Sequence, residues 1–323
     1  MVRSMLKRQF VCNPHASFPQ LSPALDMFRR RPEPAPVRGG CSPEHRRAPR
    51  SGASGMIACT NPTLYAISTN PVLQNPIMKL LLLNPNTSDA MTASIAQAGR
   101  EVAAPGTQIW AVNPSFGPLS IEGQYDEAFA AAGVAEQVRL ADADPQGPPD
   151  AVVIACFGDP GLDAAREATH APVLGIAEAA FHAASMLATG FSVVTTMTRT
   201  CIIAEHLVHK YGFERRCRGI HGTDIPVLAL ESAGPEMLAQ IEAAARLALE
   251  RDRSGAIVLG CAGMAALTRE LQQRLGVPVI DGVAAAVKFA ESLGALGLRT
   301  SKRGDYATPL PKRYLGWAQP LGW

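Results

Sequence analysis

Two cysteines stand in matching surroundings. Cys156 opens the stretch Cys156-Phe157-Gly158-Asp159-Pro160-Gly161, and Cys261 opens the shorter Cys261-Ala262-Gly263-Met264. Each ends an apolar run, Val152-Val153-Ile154-Ala155 in one case and Ile257-Val258-Leu259-Gly260 in the other, and each leads through a tight turn into a helical stretch. Asp159 reads as a helix N-cap and Pro160 as the first helical residue. A thiol near a helix N-terminus meets the positive end of the helix dipole and free N–H groups, which favours thiolate and predicts a lowered pKa. The same N–H groups can hold a developing oxyanion. Two thiols on opposite walls of a cleft can invert a stereocentre, the thiolate taking a proton from one face while the thiol opposite delivers one to the other. Either cysteine alone reads as well as a buried structural residue; their symmetric repetition favours chemistry.

The other five cysteines fall elsewhere. Cys12, Cys41 and Cys59 precede residue 78, Cys201 lies in a helical stretch, and Cys217 sits in the charged patch Arg215-Arg216-Cys217-Arg218. There is no Cys-x-x-Cys and no His/Cys cluster with zinc-ligand spacing, so no metal is expected. The odd count and scattered positions do not form a disulfide framework, which points to a reducing compartment and a cytoplasmic protein.

The elements that position the two thiols form a repeating pattern. Apolar runs at 79–83, 108–112, 151–155, 172–176, 191–195, 225–230, 256–260 and 277–280 alternate with helical stretches at 88–103, 124–138, 160–168, 177–188, 198–210, 235–251, 264–274 and 282–296. Continuous apolar strands separated by helices predict parallel sheets covered on both faces, an α/β fold. The pattern repeats: a Pro-containing strand begins 16 positions after Cys156 (Pro172) and 17 after Cys261 (Pro278), and Asn84 precedes Cys156 by 72 positions as Thr196 precedes Cys261 by 65. Two pseudo-symmetric lobes are therefore expected, 78–190 with Cys156 and 191–323 with Cys261. The first lobe includes a chain crossover, and the C-terminal segment returns toward it. Ligands of open α/β sheets bind beyond the carboxyl ends of the strands, where both thiols stand.

Charge divides the 323 residues unevenly. Residues 1–77 hold ten basic and three acidic residues and 11 of the 26 prolines, while the remainder holds 20 basic and 25 acidic residues. The first segment lacks any sustained amphipathic period and cannot bury enough apolar surface to fold, so it is expected to be disordered. It reads as a stretch upstream of a functional start at Met78, with a transit sequence or a disordered tail as alternatives. No secretory apolar run follows its early basic residues. Deletion of 1–77 is expected to leave activity intact. The remainder carries no basic block to call for nucleic acid and no apolar run long enough for a membrane.

Other residues of interest end the strands or follow them. Asn84 can contact a substrate carbonyl or ring N–H, with Thr87 and Ser88 as helix caps. Thr195 and Thr196 are its second-lobe counterparts, able to line the cleft or merely to turn the chain. Ser120 and Glu122 lie in a Gly/Pro-rich loop that can close over a ligand or simply be a solvated turn. Glu178 opens a helix as a first-turn acid, and His182 follows on its next turn. Gly260 and Gly263 leave room for a flat ring.

The chain from about Met78 to Gly316 resembles the Asp/Glu/hydantoin racemase superfamily, in its hydantoin and allantoin racemase branch. The motifs that carry the resemblance occur in order: Asn84-Pro85-Asn86-Thr87-Ser88, Gly117-Pro118-Leu119-Ser120-Ile121-Glu122-Gly123, Cys156-Phe157-Gly158-Asp159-Pro160-Gly161, Gly175-Ile176-Ala177-Glu178-Ala179-Ala180, Gly260-Cys261-Ala262-Gly263-Met264 and the segment around Gly304-Asp305-Tyr306. The resemblance implies two flavodoxin-like lobes with the site between them, and a racemase that uses no cofactor, with Cys156 and Cys261 as the acid/base pair. It also implies a homo-oligomer. Phe157-Gly158 and Ala262-Gly263 stand where the glutamate racemase branch has Asn-Thr and Thr-His, which argues for a ring substrate over a free amino acid. The expected reaction is proton transfer at C5 of a 5-substituted hydantoin or of allantoin. An amino-acid racemase or a decarboxylase of the same fold is the alternative within the class. A two-lobed ligand-binding protein or thiol redox sensor is the rival outside it.

Overall fold

The computed structural model describes residues 78–323, Ala233 excepted. The segment 1–77, and with it the expected disordered extension, lies outside the described residues. Eight strands alternate with eight α-helices: β1 Met78–Leu83, α1 Asp89–Val102, β2 Thr107–Val112, α2 Gln124–Asp142, β3 Ala151–Ile154, α3 Leu162–Ala168, β4 Val173–Gly175, α4 Ile176–Leu187, β5 Phe191–Thr195, α5 Cys201–Lys210, β6 Cys217–Gly222, α6 Pro235–Asp252, β7 Ala256–Leu259, α7 Thr268–Leu275, β8 Val279–Ile280 and α8 Gly282–Ala295. The strands form two four-stranded sheets, ordered β2-β1-β3-β4 and β6-β5-β7-β8, and every pair of neighbouring strands is parallel.

Strand β1 shows why the apolar runs are unbroken. Side chains alternate across a strand. Leu80 and Leu82 enter a core cluster that reaches both sheets, while Leu81 and Leu83 enter a second cluster on the other face. Both faces are covered, so all four leucines are fully buried. The second sheet repeats this with Val193, Ala256 and Val258 on one face and Val194, Ile257 and Leu259 on the other.

The first of these clusters joins the two halves, and helices α4 and α8 are the reason. Helix α4 follows β4 of the first sheet but packs on β7, β8 and α5. Helix α8 follows β8 of the second sheet but packs on β1, β3, β4 and α1. The two helices also pack on each other, so each half lends its last helix to the other. At the centre Phe181 of α4 stacks on Phe191 of β5, with ring centroids 5.4 Å apart. Beyond α8 the chain returns to the first half, where Thr300 donates to the Ala171 carbonyl (2.6 Å) and the Tyr306 hydroxyl to Asp163 (3.1 Å).

Three local expectations are corrected. The sixth strand is Cys217–Gly222, whereas the apolar run 225–230 contributes to a 3-10 turn, Val227–Ser232. Proline at 226 offers no N–H for a strand ladder, and an edge strand such as β6 leaves most of its residues half-buried, which hides it from an apolar scan. Helix α3 begins at Leu162, not Pro160, because Gly161 occupies the left-handed region (φ 72°) as its N-cap. Asp159 also has positive φ (44°) and caps a different helix, as described below.

Candidate functional site

In each sheet the strand order switches sides between the two central strands, which run parallel, β1 with β3 and β5 with β7. A crevice opens where connections diverge in this way. Asn84 and Cys156 follow β1 and β3; Thr195 closes β5, and Cys261 follows β7. The register aligns them: Leu83 pairs with Ile154 and Val194 with Leu259. The Ala155 N–H donates to Leu83 O at 2.8 Å, and the Gly260 N–H to Val194 O at 2.8 Å. Cys156 and Cys261 are therefore structural equivalents, and Thr195 rather than Thr196 is the counterpart of Asn84.

Both thiols line one cleft of about 590 Å³, open at its mouth, together with Asn84, Phe157, Gly158, Thr195, Thr196 and Ala262. Two other residues expected here take different places. The Ser120 hydroxyl donates to Glu122 Oε1 (3.4 Å), and its neighbour Ile121 supplies the apolar wall instead. Gly263 lies behind Cys261, where a Cβ would stand 3.0 Å from Leu230 Cδ1 and 3.7 Å from the Cys261 Sγ. The sequence reading did not single out Glu127 and Val227, which also line the cleft. Glu127 reads as an ordinary first-turn acid of α2, and Val227 belongs to the 3-10 turn mistaken for a strand.

Two interlobe bonds fasten the rim. Glu122 Oε1 accepts the Val227 N–H at 3.1 Å, and the Ser88 hydroxyl donates to Glu231 at 2.7 Å. Ser88 also caps α1 by accepting the Met91 N–H. Asn84 is held rigidly: its Nδ2 donates to Asn86 Oδ1 (2.7 Å), Thr92 Oγ1 (3.0 Å) and the Ser88 carbonyl (3.2 Å).

The loop after Cys156 is anchored from outside. Asp159 accepts the N–H groups of Ala177 and Glu178, both at 3.0 Å, and so caps α4 rather than α3. Gly175 has no side chain because a Cβ there would overlap the Asp159 carboxyl. Burial pushes this carboxyl up to about 6, against the three donors that favour its ionised form. Glu178 pairs with Arg166 (2.5 Å), and His182 packs edge-on against Phe213 (centroids 5.0 Å), so neither acts at the cleft.

The lowered thiol pKa expected from the helix ends is not what the structure produces. Burial drives Cys156 well above the ordinary thiol range; the Gly158 N–H opposes this, while Cys261, Glu127 and Asp159 add to it. Burial likewise pushes Cys261 up to about 11, opposed by the Gly263 N–H and reinforced by Glu122. Single N–H groups do not offset removal of a thiolate from water when carboxylates stand nearby. The resting cleft holds two neutral thiols, and the four described cysteines are free of disulfides. Among the described residues no group of three His, Cys, Asp or Glu is placed to hold a metal ion, and no helix is long and apolar enough to cross a membrane.

The Asp/Glu/Hydantoin racemase family model matches residues 80–290. The chain belongs to this family. A hydantoin racemase of Paenarthrobacter aurescens is 47% identical over 238 residues, which is 74% of this chain and all of that one. A hydantoin racemase of Pseudomonas sp. (strain NS671) is 48% identical over 76% of this chain and 97% of its own. Among solved structures, an allantoin racemase from Klebsiella pneumoniae superposes with a TM-score of 0.73 at 55% identity, covering 76% of this chain and 99% of that one. This racemase is thus an isomerase built from two parallel sheets with one thiol at each switch point.

Proposed function

We propose that this racemase inverts C5 of 5-substituted hydantoins, with Cys156 and Cys261 as the opposed acid and base. The observation that carries the reading is the placement of the two thiols at equivalent strand ends of two similarly ordered sheets, on one shared cleft. One Sγ, as thiolate, takes the C5 proton; the C–H electron pair moves into an enolate at the adjacent carbonyl; the thiol opposite gives its proton to the other face. One S–H bond forms and one breaks, so the pair ends reversed and the next turnover runs from the other enantiomer. With a pKa of about 11 for Cys261, ionisation at neutral pH costs about 5 kcal/mol. That fits within the roughly 16 kcal/mol barrier of a step at about 10 per second, and the thiolate so formed is a strong base.

Asn84, Thr195, Thr196, Phe157, Gly158 and Ala262 form the substrate walls in this scheme, with Gly263 supporting Cys261 and Ser120 supporting the rim through Glu122. The segment 1–77 lies apart from catalysis, and the working form is a cytoplasmic homo-oligomer.

A second reading names allantoin, which is itself a hydantoin bearing a 5-ureido group. Identity of 55% to one allantoin racemase structure, against 47% and 48% to the two hydantoin racemases, favours it, whereas the 41% identity to the allantoin racemase of Pseudomonas fluorescens does not. Incubating enantiopure allantoin, 5-benzylhydantoin and 5-isobutylhydantoin in D2O tests both readings. Deuterium is expected at C5 as optical rotation decays, and the fastest substrate decides between them. No exchange with any of the three, together with loss of two thiols on mild oxidation, would leave the redox-sensor reading in its place.

A further inference from the structure

Glu127 stands in the first turn of α2 and lines the cleft beside Cys156 and Gly158. Its Oε1 is shut off from solvent and has no hydrogen-bond partner. Polar neighbours in the cleft are engaged with the protein itself: Asn84 with Asn86 and Thr92, Thr195 with the Gly260 carbonyl (2.8 Å), and Thr200 with the Met197 carbonyl (2.7 Å). A buried acceptor without a donor destabilises the empty protein, and such groups persist where a ligand completes them. The Gly158 backbone makes the room, because a Cβ at that position would overlap Glu127 Oε1. The carboxyl therefore rests on the loop that carries the Cys156 thiol, next to the place where C5 must lie.

Resting on the ring-substrate reading above, we propose that Glu127 binds substrate, its carboxyl turning from the closed-off resting position to accept the N1–H of a cyclic ureide whose C5–H faces Cys156. Two ring atoms flank C5, the nitrogen N1 and the carbonyl carbon C4. The C4 oxygen gains negative charge as the proton leaves, so a carboxyl is repelled from that side and fits the N1 side. Burial, and then Asp159, push the Glu127 carboxyl up to about 7, which limits the charge it brings toward the carbanion.

The test uses the full chain and the better substrate of those above, with its N1-methyl and N3-methyl derivatives, against wild type, Glu127→Gln and Glu127→Ala. In wild type, N1-methylation is expected to lower kcat/KM by about tenfold to a hundredfold, the range of one hydrogen bond to a charged group, and N3-methylation to have little effect. Glu127→Ala is expected to lose a similar factor on the parent compound, chiefly through KM, and to treat parent and N1-methyl compounds alike. Glu127→Gln, which keeps an acceptor oxygen, is expected to fall between them. Melting temperatures of both variants should equal or exceed that of wild type, separating a binding loss from a folding loss. Unchanged discrimination between parent and N1-methyl compounds in Glu127→Ala, a larger penalty from N3-methylation, or unfolding of both variants would overturn the assignment. Failure of wild type to racemise the parent would remove the ring-substrate reading itself, and this assignment with it.

Discussion

The Tyr211 hydroxyl donates to Asp159 at 2.8 Å and so ties the end of α5, in the second half, to the loop that carries Cys156 in the first. Lys210 reinforces the tie through Asp163 at 2.7 Å. Asp159 thus receives two N–H donors from α4 and one hydroxyl from the end of α5, although it lies only three residues beyond Cys156. Removing the hydroxyl in Tyr211→Phe leaves a buried carboxylate short of one donor. A stability loss of about 1.5–3 kcal/mol is expected in urea unfolding, along with lower kcat from a less fixed Cys156. Wild-type stability with wild-type kcat in that variant would show the tie to be incidental.

Single-thiol variants separate proton removal from inversion. In Cys261→Ser the Cys156 thiol still reaches one face of the substrate. Exchange of the C5 hydrogen of one enantiomer is expected to continue in D2O while racemisation drops by about three orders of magnitude or more. Cys156→Ser should show the mirror behaviour with the other enantiomer. Full racemisation by either variant, followed by chiral chromatography, would rule out the two-thiol scheme.

Burial of the thiols gives the pH dependence a definite sign. Iodoacetamide labelling should be slow at neutral pH and should accelerate without a plateau until about pH 11 for Cys261, with Cys156 reacting later still. A free thiol would level off above about pH 8.5. Since the folded protein holds these protons more tightly than the unfolded chain, their contribution to stability is complete below the unfolded thiol pKa. It is lost as pH rises through the folded value. A labelling plateau near pH 8 for either residue would contradict the burial argument.

Exchange of helices between the halves depends on one close approach. Gly282, at the start of α8, lies against the start of α4, where a Cβ would come within 2.5 Å of the Ile176 carbonyl oxygen and 2.9 Å of the Ile176 Cβ. Backbone cannot yield there as a flexible side chain would. Gly282→Ala is expected to cost about 1–3 kcal/mol in thermal or urea unfolding. An unchanged melting temperature would show that the two helix starts can separate without loss.

Much of this arrangement is legible from local pattern. The four leucines of β1 and the valines and isoleucines of β3, β5 and β7 announce fully buried parallel strands, since only strands covered on both faces read as unbroken apolar runs. Repetition of a cysteine after β3 and after β7 points, without coordinates, to the two strand ends that line one cleft. Edge strand β6 escapes, because its exposed Arg218 and half-buried Gly and His residues carry no apolar signal. Asp159 misleads for a different reason: Asp-Pro has the form of an N-cap for the next helix, whereas the left-handed turn at Asp159 and Gly161 directs the carboxyl to α4.

By itself the sequence determines the strand and helix alternation, the internal repeat, and the two thiols, because each of these is written in short-range residue patterns. Only the tertiary structure decides which helix covers which sheet, which donors Asp159 receives, and how far the thiols are removed from water. It also decides that an ordinary-looking first-turn glutamate borders the cleft with a buried, unpaired oxygen. Such properties depend on groups far apart along the chain. The thiol pKa shows the consequence: a local motif predicts a lowered value, and burial by both halves raises it.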